Sequence, residues 1–190
     1  PTVLKDKNGI YHMWYVYSET GYGGDGPWNV GYATSADGLN WERYKGNPVI
    51  AQDDISGPLR SASVVKHDGK YHLWTSNQAY ATSEDGLNWE THGTISFDDK
   101  PDGWVHGSAV SVHDGKFILC FNARKDGTEW VHFASSTDGK NWKVGFLPPL
   151  KNTASFSALH RIEGRWMLWC HRHDVDNARW SIWRVHYAQE

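Results

Sequence analysis

The sequence predicts an all-β protein, a β-propeller with about four blades present in this chain, and three observations predict it. First, one box recurs: Gly31-Tyr32-Ala33-Thr34-Ser35-Ala36-Asp37-Gly38-Leu39-Asn40-Trp41 returns as Tyr80-Ala81-Thr82-Ser83-Glu84-Asp85-Gly86-Leu87-Asn88-Trp89 and as Phe133-Ala134-Ser135-Ser136-Thr137-Asp138-Gly139-Lys140-Asn141-Trp142, and a fourth copy opens at Val185-His186-Tyr187-Ala188. Second, short apolar strands joined by Gly-containing turns fill the intervals at a period of roughly fifty residues, the spacing of four-stranded blades. Third, the 190 residues hold 12 Trp and 9 Tyr in a chain of mean hydropathy −0.65. Many aromatics in a polar chain suit short strands packed sheet on sheet, and also a carbohydrate-binding face.

Each box reads as a corner. An apolar strand ends in aromatic-Ala or aromatic-Ala-Thr, and Ser-x-Asp-Gly then turns the chain, with Gly free to take positive φ and the Ser and Asp side chains able to bond turn amides. Trp41, Trp89 and Trp142, three residues past each Gly, clasp the start of the next strand. Recurrence in every unit marks the box as framework.

In order, Thr2-Val3-Leu4-Lys5 reads as a strand, Asp6-Lys7-Asn8-Gly9 as a turn, and Ile10 to Tyr17 as a strand carrying apolar or aromatic groups on both faces. Glu19 to Trp28 is a Gly-rich loop and Asn29 to Thr34 a third strand, which the box turns into a fourth near Trp41. The second unit repeats this with Ala62–Lys66, the turn His67-Asp68-Gly69-Lys70 and Tyr71–Thr75. The third has Ser108–Val112, His113-Asp114-Gly115-Lys116 and Phe117–Phe121. The fourth has Ser157–Arg161, Ile162-Glu163-Gly164-Arg165 and Trp166–Cys170. Blades of about 1–50, 51–97, 98–147 and 148–190 in one propeller domain, 1–190, are expected.

A net charge of −3 gives no electrostatic case for nucleic acid or an anionic membrane, and the apolar runs fall far short of a membrane span. Cys120 and Cys170 lie in corresponding strands, one residue out of phase. Alternation therefore predicts side chains facing opposite ways and free buried thiols rather than a disulfide.

Val3-Leu4-Lys5-Asp6 through Gly9, Tyr11-His12-Met13-Trp14-Tyr15, followed by Gly31-Tyr32-Ala33-Thr34-Ser35 to Trp41, resembles the five-bladed propeller glycoside hydrolases, the superfamily of families 32, 43 and 68 with the related family 130 phosphorylases. The resemblance spans essentially the whole chain and rests on framework residues. It implies a propeller of the five-bladed glycosidase type. In that superfamily an Asp commonly precedes the Pro of the first inner strand, so Pro1-Thr2-Val3 reads as the remainder of such a strand. Glu190 falls where a fourth box should begin, and the chain is expected to be an excerpt of a longer protein.

The resemblance places chemistry in an axial funnel, on loops that enter the inner strands or join second strands to third. Glycoside hydrolysis needs two carboxyls, about 5–5.5 Å apart for retention or about 6.5–9.5 Å for inversion, one of them kept protonated by burial. The superfamily sets such acids at inner-strand starts, yet those positions hold Arg60-Ser61, His106-Gly107 and Ser155-Phe156 here. Substitutes on the same loops are Asp25, Asp53, Asp54, Asp98, Asp99, Asp102 and Glu129. Asp54 and Asp102, each shortly before an inner strand, rank first as catalytic acids, with His106 as a proton carrier. Arg60 is placed to fork onto a carboxylate, sulfate or phosphate, and Trp28 and Trp104 to stack on a sugar. His171 and His173, with His160, offer metal-ligand chemistry, but a strand running out into a polar loop explains them, and no metal or other cofactor is expected. His12 and His72 recur at one blade position and read as structural.

The expected function is that of a glycoside hydrolase-like protein, a glycosidase or glycoside phosphorylase, acting on an oligo- or polysaccharide in the funnel. The alternative is a non-catalytic glycan- or protein-binding propeller. The expected partner is a carbohydrate ligand, with no nucleic acid and no membrane span. Sugar, linkage, stereochemistry and oligomeric state are not legible.

Overall fold

The computed structural model describes residues 1–21, 26–55, 59–152, 157–174 and 179–187. Two compact units emerge, Pro1–Thr94 and Ile95–Glu190. Both are built of antiparallel sheets, and the described helical structure is a single 3-10 turn, Gln52–Asp54.

The first unit holds two four-stranded sheets in chain order. One runs β1 (Thr2–Lys5), β2 (Tyr11–Ser18), β3 (Trp28–Ser35) and β4 (Glu42–Arg43), and the next β5 (Ala62–His67), β6 (Lys70–Thr75), β7 (Ala79–Ser83) and β8 (Glu90–Thr94). The predicted tight turns form for local reasons: the Asp6 carboxylate accepts the N–H groups of Asn8 and Ile10, both at 2.9 Å. Trp14, Val30 and Tyr32 of the first sheet pack with Val64, Tyr71, Leu73 and Ala81 of the second, and Ile50, Ile55 and Leu59 of the connecting loop complete the core. Trp14, fully buried, donates its indole N–H to the Gly86 carbonyl at 2.8 Å. A Cβ on Gly86 would lie 2.7 Å from Trp14 Cζ2, so the glycine is required for close approach as well as for its φ of +78°.

The second unit begins with β9 (Ser96–Phe97) and continues through β10 (Trp104–His113), β11 (Lys116–Lys125), β12 (Thr128–Ser136), β13 (Asn141–Val144) and β14 (Leu150–Asn152). Strand order is β10-β11-β12-β13-β9, with β14 paired to β12. Ser96 and Phe97 pair in parallel with Asn141 and Trp142. The Asp98 carboxylate fixes that docking by accepting the Val144 N–H at 2.9 Å. A three-stranded sheet follows: β15 (Ser157–Ile162), β16 (Arg165–Asp174) and β17 (Arg179–Tyr187).

Both cysteines are free and buried, as expected, but they do not face apart. Cys120 and Cys170 share one apolar cluster with Ile118, Phe133, Leu159 and Leu168. Neighbouring sheets pack through opposite faces. A residue out of phase in the second sheet therefore points back at the first, and alternation within a single strand does not predict the outcome. Burial pushes the Cys120 thiol up, away from the reactive thiolate.

Candidate functional site

Strand register defines two ends in each sheet. Tyr11 pairs with Ser35 and Ser18 with Trp28, so the box of the first sheet lies beside its β1–β2 turn, and Trp28 lies at the other end, near the start of β1.

At the box end the same bonds recur in three copies. Ser35, Ser83 and Ser136 Oγ accept the N–H of Gly38, Gly86 and Gly139 at 2.8, 2.8 and 2.9 Å. Asp37, Asp85 and Asp138 each accept the backbone N–H and the side-chain amide of the Asn three residues on, the latter at 2.7 Å every time. Trp41, Trp89 and Trp142 donate their indole N–H to the box glycine carbonyl at 3.2, 3.1 and 3.0 Å. The Asn40 and Leu39 bonds hold Asp37 well below the usual carboxylate range, and those from Asn88 and Leu87 do the same for Asp85. Burial would raise Asp138, but bonds from Asn141, Lys140 and Ser136 outweigh it and leave it at about 2. Ionised at neutral pH and bonded within their own turns, these carboxylates are corner braces.

His12 and His72 also behave as framework. Their Nδ1 atoms meet the hydroxyls of Tyr32 and Tyr80 at 2.5 and 2.8 Å, the same contact in two blades. Burial raises Tyr32 to about 12, with nearby Tyr71, Asp6 and Asp85 adding to the rise.

The opposite end of the first unit carries Trp28, Gln52, Asp54 and Arg60. The Trp28 N–H donates to Gln52 Oε1 at 2.6 Å, and the Gln52 N–H to Asn29 Oδ1 at 3.2 Å. Arg60 is exposed, yet its backbone is fixed between fully buried Leu59 and Ser76, whose Oγ accepts the Arg60 N–H at 3.1 Å. The guanidinium carbon stands 5.9 Å from the Trp28 ring centroid, within cation–π range. Asp54 is exposed on the 3-10 turn, and its Oδ2 accepts the Ala51 N–H at 3.0 Å. Gln52 carried no signal in the sequence; a Gln in an irregular loop follows no periodicity.

The second unit joins two residues that the sequence named separately. His106 Nε2 lies 2.9 Å from Glu129 Oε1, with side chains only 13% and 12% exposed. Register explains the meeting: His106 pairs with Asn122, and Arg124 with Glu129, across β10, β11 and β12. Alternation puts all four on one face. A β-bulge between His106 and Ala109, with Gly107 at φ +68°, sets His106 off from the regular strand behind it. Burial pulls His106 below its ordinary value; Glu129 opposes this and the Arg124 charge reinforces it. A histidine and a carboxylate shielded together can hold and exchange one proton.

Asp102 is exposed on the turn leading into β10. Trp104 opens that strand opposite Arg124, and its side chain lies outside the described residues, as do those of His171 and His173. Asp25 and Ser155-Phe156 lie outside them altogether. Asp53 and Asp99 are exposed. The described residues contain no cluster of three His, Cys, Asp or Glu side chains suited to a metal ion.

No protein-family model and no curated protein matches the chain. Solved structures do. Sucrose-6-phosphate hydrolase from Lactobacillus gasseri aligns with 87% of this chain and 38% of its own, at 17% identity and a TM-score of 0.69. A GH32 β-fructofuranosidase from Bombyx mori aligns with 94% of this chain and 43% of its own, at 14% identity and a TM-score of 0.71. An endo-arabinase from Bacteroides thetaiotaomicron aligns with 98% and 74%, at 14% identity and a TM-score of 0.75. The chain thus spans less than half the length of the first two.

Proposed function

We propose, for a chain whose fold is that of the five-bladed propeller glycosidases, that it forms part of a glycoside hydrolase-like protein acting on a glycosidic bond of an oligo- or polysaccharide. The observation that carries this reading is the shielded 2.9 Å contact between His106 and Glu129 at the bulged start of β10. Cleaving a glycosidic bond requires a proton for the departing oxygen and a group that takes one from the attacking water. In this reading a proton passes across the contact: Glu129 delivers it to the departing oxygen and His106 restores it. Asp102, on the turn into the same strand, supplies the second carboxyl.

The second reading, a non-catalytic glycan- or protein-binding propeller, is favoured by Asp54, whose carboxylate is engaged by its own turn. Release of reducing ends from neutral and acidic oligosaccharides by the full-length protein separates the two. The expected result is turnover that falls about 10²–10⁴-fold in Glu129→Gln and falls also in Asp102→Asn, with ligand binding intact. Binding without turnover in the unmutated protein would establish the second reading.

A further inference from the structure

We infer that Arg60, whose guanidinium stands over the Trp28 ring, is a recognition site for an acidic sugar, one bearing a carboxylate or a sulfate ester. This deepens the glycan reading above and rests on it. Arginine exposed on a surface commonly finds a carboxylate of its own chain. Here the described residues give the guanidinium an aromatic ring at 5.9 Å and no acid within ion-pair distance. Asp54, the nearest acid in sequence at this end, is engaged by the Ala51 N–H.

The supports on both sides are rigid. Leu59 is fully buried and Ser76 holds the Arg60 N–H, so the side chain leaves from a fixed point. The Trp28 backbone is fixed by its N–H bond to Gln52 Oε1, and a Cβ on Gly26 would come within 3.0 Å of Trp28 Cδ1, so Gly26 sits tightly on the indole edge. A guanidinium fork that leaves from a fixed backbone point and rests over an aromatic ring suits a planar or tetrahedral oxyanion. Trp28 is then a positioning residue: the guanidinium takes the ring face that a sugar would otherwise use.

Titration calorimetry on the full-length protein tests this with three probes of equal length: a uronic-acid oligosaccharide, a sulfated oligosaccharide and a neutral one. At least one acidic probe is expected to bind about tenfold or more tighter than the neutral probe, with the preference shrinking as salt is raised. The acidic probe that wins identifies the oxyanion. Arg60→Gln and Trp28→Ala should abolish the preference, and Trp28→Phe should retain it. Equal binding of acidic and neutral probes, or a preference that survives Arg60→Gln, would overturn the proposal. Binding is read here rather than cleavage, so absent turnover with this preference intact counts against the hydrolase reading alone.

Discussion

Three boxes brace one end of their sheets with the same bonds, down to Trp-to-Gly contacts of 3.2, 3.1 and 3.0 Å, whereas the inner-strand starts hold an Arg–Trp pair in one unit and a His–Glu pair in the other. The box end satisfies its carboxylates with backbone N–H groups close in sequence, so each Asp is ionised and occupied. The other end brings polar side chains together from separate strands and loops, and it leaves a histidine depressed by burial and an arginine with no acid partner among the described residues. Repetition thus accompanies structural duty, and divergence marks the end where chemistry can differ.

That contrast can be broken or sharpened by substitution. Gly86→Ala should cost the most, about 3–5 kcal/mol, because the added methyl meets Trp14 and forces a positive φ on a residue with a Cβ; denaturant unfolding reads it. Asp138→Ala should cost about 1–3 kcal/mol by losing the bonds to Ser136, Lys140 and Asn141. The same site predicts a pH dependence. With its folded-state pKa held near 2 against 3.8, Asp138 contributes stability in full above about pH 4 and loses it as pH falls through about 2. The gap between the unmutated protein and Asp138→Asn should close over that window. Leu39→Ser should change stability by less than about 0.5 kcal/mol, since Leu39 is 84% exposed within the same box. A large effect at Leu39 would mean that the box end also carries a binding surface.

What the sequence made legible follows the same division. The boxes, the turns and the strands between them were readable because each depends on residues a few positions apart. His106 and Glu129 were both named, yet their contact was not, since it needs the register of an intervening strand. Gln52 was missed because no local pattern distinguishes a loop amide that caps a distant N–H. The cysteines were misjudged for a related reason: the strand phase was read correctly, but the facing of neighbouring sheets reverses its meaning. Asp54 stands shortly before an inner strand, and the turn that its carboxylate closes is set by the loop's own conformation.

Strand β9 has a consequence for how the protein is made. Ser96 is bonded to Asn141, 45 residues further on. A ribosome adding roughly 5–20 residues per second therefore delivers β9 several seconds before its partner exists. Until Asn141 and Trp142 emerge, Ser96 and Phe97 have no ladder to join, and once they emerge the two-residue β9 becomes the outer edge of the sheet path. So short an edge strand offers few free ladder positions to another nascent chain, so the segment that waits longest also sets how little of that edge is left to pair.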